Sequence, residues 1–197
     1  MKTQVLYVLS AVIPVATSLV STVNSDHKEA VPETNQAVVV ITPTKDFSAT
    51  GMVQLKQSKG VVHLTGKIEG LTPGKHGFHI HQFGDLSAVD GTSAGGHYAP
   101  AGHQHGQPGK GQHHAGDLGN IIADQKGIAV IDKRSEDFKL ADVIGRSIVV
   151  HAGADDLSSQ PSGDAGPRAG LGVIGIAKSE PKATAALPDT SRRDSRH

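Results

Sequence analysis

His79 and His81 stand two residues apart in the strand-like run Gly77-Phe78-His79-Ile80-His81, so their side chains leave the same face of a sheet. At about 3.3 Å per residue their Cα atoms lie roughly 6.5 Å apart, and two imidazoles at that spacing can converge on one ion. The segment that follows supplies His97, His105, His114 and Asp117, and a later strand-like run ends in His151. Imidazole suits copper and zinc, and three ring nitrogens with one carboxylate oxygen close a tetrahedral zinc shell. The chain has 12 histidines and no cysteine, which rules out thiolate ligands, disulfides, a catalytic thiol and a lipidated cysteine. Its metal chemistry therefore rests on histidine.

These side chains need a frame. With 197 residues there is room for one domain with a real hydrophobic core. Short β-like runs, most bounded by turn residues, are expected at 37–42, 52–57, 61–69, 77–82, 127–132, 138–141, 146–151 and 171–177. In Val62-His63-Leu64-Thr65-Gly66-Lys67-Ile68 the apolar residues fall at alternate positions, as in a half-buried strand. Two long stretches without periodicity, 85–120 and 152–170, read as functional loops. Short strands with no convincing amphipathic helix predict an all-β fold, an antiparallel sandwich or barrel.

Residues 1–25 begin with Lys2, run through an apolar stretch interrupted by Pro14 and end in small polar residues, the plan of a secretory signal peptide. The stretch is too short to anchor the chain stably in a membrane. A polar linker at 26–35 precedes the domain at 36–178, and the Pro/Ala/Ser/Arg-rich tail at 179–197 reads as disordered. The expected destination is therefore secreted or periplasmic. The formal net charge is zero, and setting leader and tail aside leaves the domain close to neutral. With no broad basic face, nucleic acid is not an expected partner.

Gly-Phe-His-Ile-His-Gln-Phe-Gly-Asp at 77–85, Gly-Asp-Leu-Gly-Asn at 116–120 and Gly-Val-Ile-Gly-Ile-Ala at 172–177 closely resemble the copper/zinc superoxide dismutase family, and the likeness covers 36–178. It implies an eight-stranded antiparallel Greek-key barrel or sandwich. It makes His79, His81, His97 and His151 copper ligands, and His97, His105, His114 and Asp117 zinc ligands, with His97 the bridging imidazolate. The spacings of eight, nine and three residues from His97 to Asp117 keep the family pattern.

The resemblance further gives Asp155 to the far nitrogens of His79 and His105, makes His76 a structural histidine beneath the copper site, and makes Arg168 the active-site arginine. Ser162 would stand where the family usually has threonine. The implied enzyme converts superoxide to dioxygen and hydrogen peroxide by alternate reduction and oxidation of copper, with His97 leaving copper and helping to supply a proton. A homodimer is compatible with the likeness. Two departures stand out: the family's disulfide positions correspond to Gly91 and Leu171, and the second loop is shorter than in familiar members. The alternative is an exported copper/zinc-binding or buffering protein with little turnover. His63, His103, His113, His27 and His197 are read as ordinary surface or terminal histidines.

Overall fold

A computed structural model describes residues 34–178. The leader expected at 1–25, the linker up to 33, the tail expected at 179–197, and with them His27 and His197, lie outside the described residues.

The chain forms strands β1 (Gln36–Pro43), β2 (Thr50–Ser58), β3 (Val61–Glu69), β4 (Gly74–His81), β5 (Asp117–Ala123), β6 (Ala129–Ser135), β7 (Ser147–His151) and β8 (Arg168–Val173), with a two-residue extension β9 (Gly175–Ile176). Neighbours run β2-β3-β6-β5-β4-β7-β8-β1, and β1 also pairs with β2, which closes the barrel. Because β3 neighbours β6 and β4 neighbours β7, the connections are of Greek-key type. Closure leaves no long sheet edge open.

Alternation sorts the side chains. Val53 and Leu55 of β2, Val62, Leu64 and Ile68 of β3, Phe78 and Ile80 of β4 and Ile148 and Val150 of β7 fill the barrel. Each such side chain contributes about 1.5–3 kcal/mol by leaving water. The strand expected around Val62 is thus present with its apolar positions inward. His63 points to the wet side, where it meets Asp132 at 2.6 Å.

In β4 both faces are covered from His76 to His81. Phe78 and Ile80 face the core, while His79 and His81 lie on the opposite face, beneath the loops. Pairing of β4 with β7 sets His79 against Val149 and His81 against Ser147.

Two expectations are corrected. The loop expected to run unbroken from 85 to 120 ends at Asp117, where β5 begins. Its opening Asp117-Leu118-Gly119-Asn120 has no alternation of apolar and polar residues, and Gly119 takes a positive φ of 68°, so the strand is hidden from a periodicity test. The run at 138–141 is not a strand: Leu140–Val143 forms one helical turn, α1. Leu140 and Val143, three apart, both enter the core, a helical spacing too brief to recognise among neighbouring polar residues. Among the described residues no helix is long and apolar enough to cross a membrane.

Candidate metal centre

The first loop is bound to β4 by its backbone. His97 forms an isolated antiparallel bridge with His81. Around it, Tyr98 N–H donates to Ile80 O at 2.8 Å, Gln82 N–H to Gly96 O at 2.9 Å, and Ile80 N–H to Gly116 O at 2.8 Å. These bonds carry the histidines of the loop over the outer face of β4. His151 arrives from the end of β7, where a register shift between Val150 and His151 interrupts the β7–β8 ladder.

Two groups of potential donor atoms result, His79/His81/His97/His151 and His97/His105/His114/Asp117, each with its atoms within 4.8 Å of one another. His97 belongs to both. Hydrogen bonds define which nitrogen of each ring is free, because a carbonyl or carboxylate oxygen can only accept. His81 Nδ1–H donates to Gly95 O at 2.9 Å and His151 Nδ1–H to Gly166 O at 3.0 Å. Their Nε2 lone pairs are left facing each other at 3.4 Å. His79 Nε2–H donates to Asp155 Oδ2 at 2.9 Å, freeing Nδ1. That Nδ1 and His97 Nε2 are buried without any hydrogen-bond partner. Four lone pairs thus meet with nothing of opposite sign between them, an arrangement a cation relieves.

The second group has the same logic. Asp117 Oδ1 lies 2.7 Å from His97 Nδ1, 3.0 Å from His105 Nδ1 and 3.2 Å from His114 Nδ1. His97 Nδ1 and His114 Nδ1 are 3.3 Å apart. Zinc–ligand bonds of about 2.0–2.2 Å give tetrahedral edges of about 3.3 Å, which the two spacings made by His114 Nδ1 match, while Asp117 Oδ1 lies closer to His97 and His105, at hydrogen-bond length. The other carboxylate oxygen accepts from the N–H groups of Gly106 and His114.

Asp155 couples the groups. Its Oδ1 accepts from His105 Nε2–H at 2.9 Å and its Oδ2 from His79 Nε2–H. Asn120 exchanges two hydrogen bonds of 2.8 Å with the backbone of Asp155. Gln160 clamps the second loop to the first, accepting from His105 N–H and donating to His105 O. His76, buried, contacts His151 O at 2.8 Å and Thr72 O at 2.7 Å. Asn120, Gln160 and Gly95 were missed as site residues. Asn120 sits inside the Gly-Asp-Leu-Gly-Asn run, where its company was a signal; nothing in the residues around Gln160 marked it.

Burial and neighbouring charges pull the histidines in opposite directions. Burial, opposed by the Asp155 hydrogen bond, holds His79 down at about 4; burial and the nearby His79 hold His151 at about 3. Burial also puts His81 well below its usual value. Burial works against the imidazolium of His105 too, but Asp117 and Asp155 outweigh it and raise the group to about 9. In the metal-free protein the unfolded chain takes up protons on His79, His81 and His151 below about pH 6.5, whereas the folded chain resists until about 4 and 3 for His79 and His151. Stability therefore falls as pH drops through that window. His105 runs the opposite way, its contribution being complete below about 6.5 and lost towards 9, but one group does not reverse three. Urea melts of metal-free protein should show a lower midpoint at pH 5 than at pH 7.

Arg168 opens β8, half-buried. Its guanidinium donates to Gly91 O and, at 2.5 Å, to Gly95 O, the carbonyl that also holds His81. Its charge is felt at both His81 and His151. Ser162 is half-buried in the second loop.

Gly91 and Leu171 do meet. A Cβ on Gly91 would come within 3.3 Å of Leu171 Cδ1, and Leu171 packs with Ala94 and Val149 in a cluster separate from the main core. Apolar packing and the Arg168 hydrogen bonds occupy the place of a covalent tie. Leu171→Ala should cost about 2–5 kcal/mol and loosen zinc retention, measurable as earlier urea unfolding and faster zinc loss to a chelator.

A closed Greek-key barrel bearing two groups of potential metal ligands that share His97 defines an all-β protein with a candidate metal centre. Residues 49–174 match the family described as copper/zinc superoxide dismutase (SODC). The chain is 45% identical over 146 residues to an extracellular superoxide dismutase [Cu-Zn] of Onchocerca volvulus, covering 67% of this chain and 72% of that one. It is 43% identical over 145 residues to superoxide dismutase [Cu-Zn] 3 of Arabidopsis thaliana, covering 68% and 87%. Among solved structures, the clock protein EA4 superposes with a TM-score of 0.66 at 38% identity, over 73% of this chain and 95% of that one. The chain belongs to the copper/zinc superoxide dismutase family. It is accordingly an enzyme of that class, with copper and zinc as its metals.

Proposed function

We propose that His79 Nδ1 and the Nε2 atoms of His81, His97 and His151 hold the copper, that the Nδ1 atoms of His97, His105 and His114 with Asp117 Oδ1 hold the zinc, and that His97 bridges the two. Bound there, copper supplies one-electron chemistry in both directions, while zinc has no redox chemistry of its own. Two superoxide anions and two protons then yield dioxygen and hydrogen peroxide. The observation carrying this reading is the convergence of free lone pairs, two of them on buried nitrogens with no protein partner.

When it is not holding copper, His97 Nε2 would carry a proton and pass it towards the peroxide, while Nδ1, beside Asp117, keeps the ring in place. Asp155 fixes the tautomers of His79 and His105, one ligand in each position. Arg168 attracts and orients the anion with a forked cation locked by two carbonyls. Ser162 lines the opposite wall. Residues 36–178 form the catalytic domain, and the chain is exported, as the apolar leader and the relatives named extracellular suggest.

Arg168→Ala tests the reading. It should lower the rate of superoxide decay per bound copper roughly tenfold or more, and flatten its dependence on ionic strength. An unchanged rate at low salt overturns the role given to Arg168. A buffering protein would bind both metals but would be indifferent to this substitution.

A further inference from the structure

His103 and His113 flank the candidate metal centre without belonging to it. His113 Nδ1–H donates to Gly111 O at 3.2 Å and His103 Nδ1–H to His113 O at 3.2 Å, so both rings present bare Nε2 atoms. The His113 side chain is 10% exposed, and its Nε2 is buried without a hydrogen-bond partner. That atom stands 3.3 Å from Asp137 Oδ2, in the turn between β6 and α1. The same oxygen accepts from Ser135 Oγ at 3.1 Å. His103, His113 and Asp137 line one cavity of about 250 Å³, walled by Ala99, Pro100 and Ala101.

A bare imidazole nitrogen facing a carboxylate oxygen is a pair of acceptors. The His63–Asp132 pair on the barrel's wet side closes to 2.6 Å, the length of a shared proton. The His113–Asp137 pair stays at 3.3 Å, about the edge of a tetrahedral shell with bonds of about 2.0–2.2 Å.

The geometry points to a third cation site, in which His113 Nε2 and Asp137 Oδ2 hold a divalent ion of the zinc or copper type, with exposed His103 swinging its Nε2 into the cavity as third ligand and water completing the shell. One imidazole-rich loop would thereby be tied to the β6–α1 turn by an ion. The site lies outside both groups of the proposed dismutase centre, so its failure leaves that reading untouched.

The test starts from full-length protein whose two principal positions are already filled with copper and zinc. Calorimetric titration with Zn²⁺ should reveal one further equivalent. His113→Ala and Asp137→Asn should each weaken it at least tenfold, and His103→Ala severalfold, with superoxide decay unchanged in all three. Absence of a further equivalent overturns the site, since a proton alone then bridges the pair. Equally, zinc that binds undiminished in H113A and D137N is held elsewhere. Undiminished binding in H103A removes His103 from the ligand set.

Discussion

His97→Ala is expected to disturb two metals at once. Losing a group that merely orients a ligand costs 10–100-fold in affinity, so loss of a direct ligand should exceed about a hundredfold at each position. The variant should show an altered copper spectrum, reduced zinc content and little superoxide decay above background. His81→Ala and His114→Ala are the controls, because His81 belongs only to the first group and His114 only to the second. Each should damage chiefly its own metal. If the copper spectrum of His97→Ala is normal, the shared ligand is refuted.

The second large effect is expected at a residue that binds no metal. Gly163 has a φ of 70°, and a Cβ built on it would lie 1.9 Å from Asp155 Oδ1 and 2.7 Å from His105 Nε2. Neither atom can yield, since Asp155 Oδ1 is held by His105 Nε2–H and Leu157 N–H, and Oδ2 by His79. Gly163→Ala should therefore combine left-handed strain of about 1–3 kcal/mol with a packing conflict of about 1–3 kcal/mol. It should also weaken both metals by roughly 10–100-fold through the displaced carboxylate. Gly109→Ala provides the comparison, for Gly109 has a φ of 73° with nothing within 4 Å of an added Cβ. It should show the strain alone. Equal effects of the two substitutions, by urea unfolding and metal retention, would contradict the role given to Asp155.

The two groups of potential donors that share His97 were legible because few residue types can serve as metal ligands. Two of these donors also sit at a strand spacing that forces a common face. The barrel was legible where one face meets the core and the other water, as in β3. It was not legible at β5, which opens on the buried polar Asp117 and bends at the positive-φ Gly119 so that no alternation marks it, nor at α1, where a single turn buries only Leu140 and Val143. Long-range support was the hardest to read. Gln160 reaches across 55 positions to His105, and Gly163 is required only because Asp155 has been folded against it. Such constraints exist in space before they can be seen along the chain.

The missing disulfide has a physical counterpart. Where the family resemblance places a covalent tie, Leu171, Ala94 and Val149 pack together, and Arg168 donates to two carbonyls of the loop. Arg168 is thus both an anchor of the loop and the proposed attractor of the anion. Its removal in Arg168→Ala should be read with metal content beside rate for that reason.

The most direct measurement of the central claim follows superoxide decay in the presence of full-length protein carrying one copper and one zinc per chain. Decay should accelerate in proportion to protein concentration and slow as ionic strength rises. Full occupancy of both metals with decay no faster than in buffer alone would contradict it.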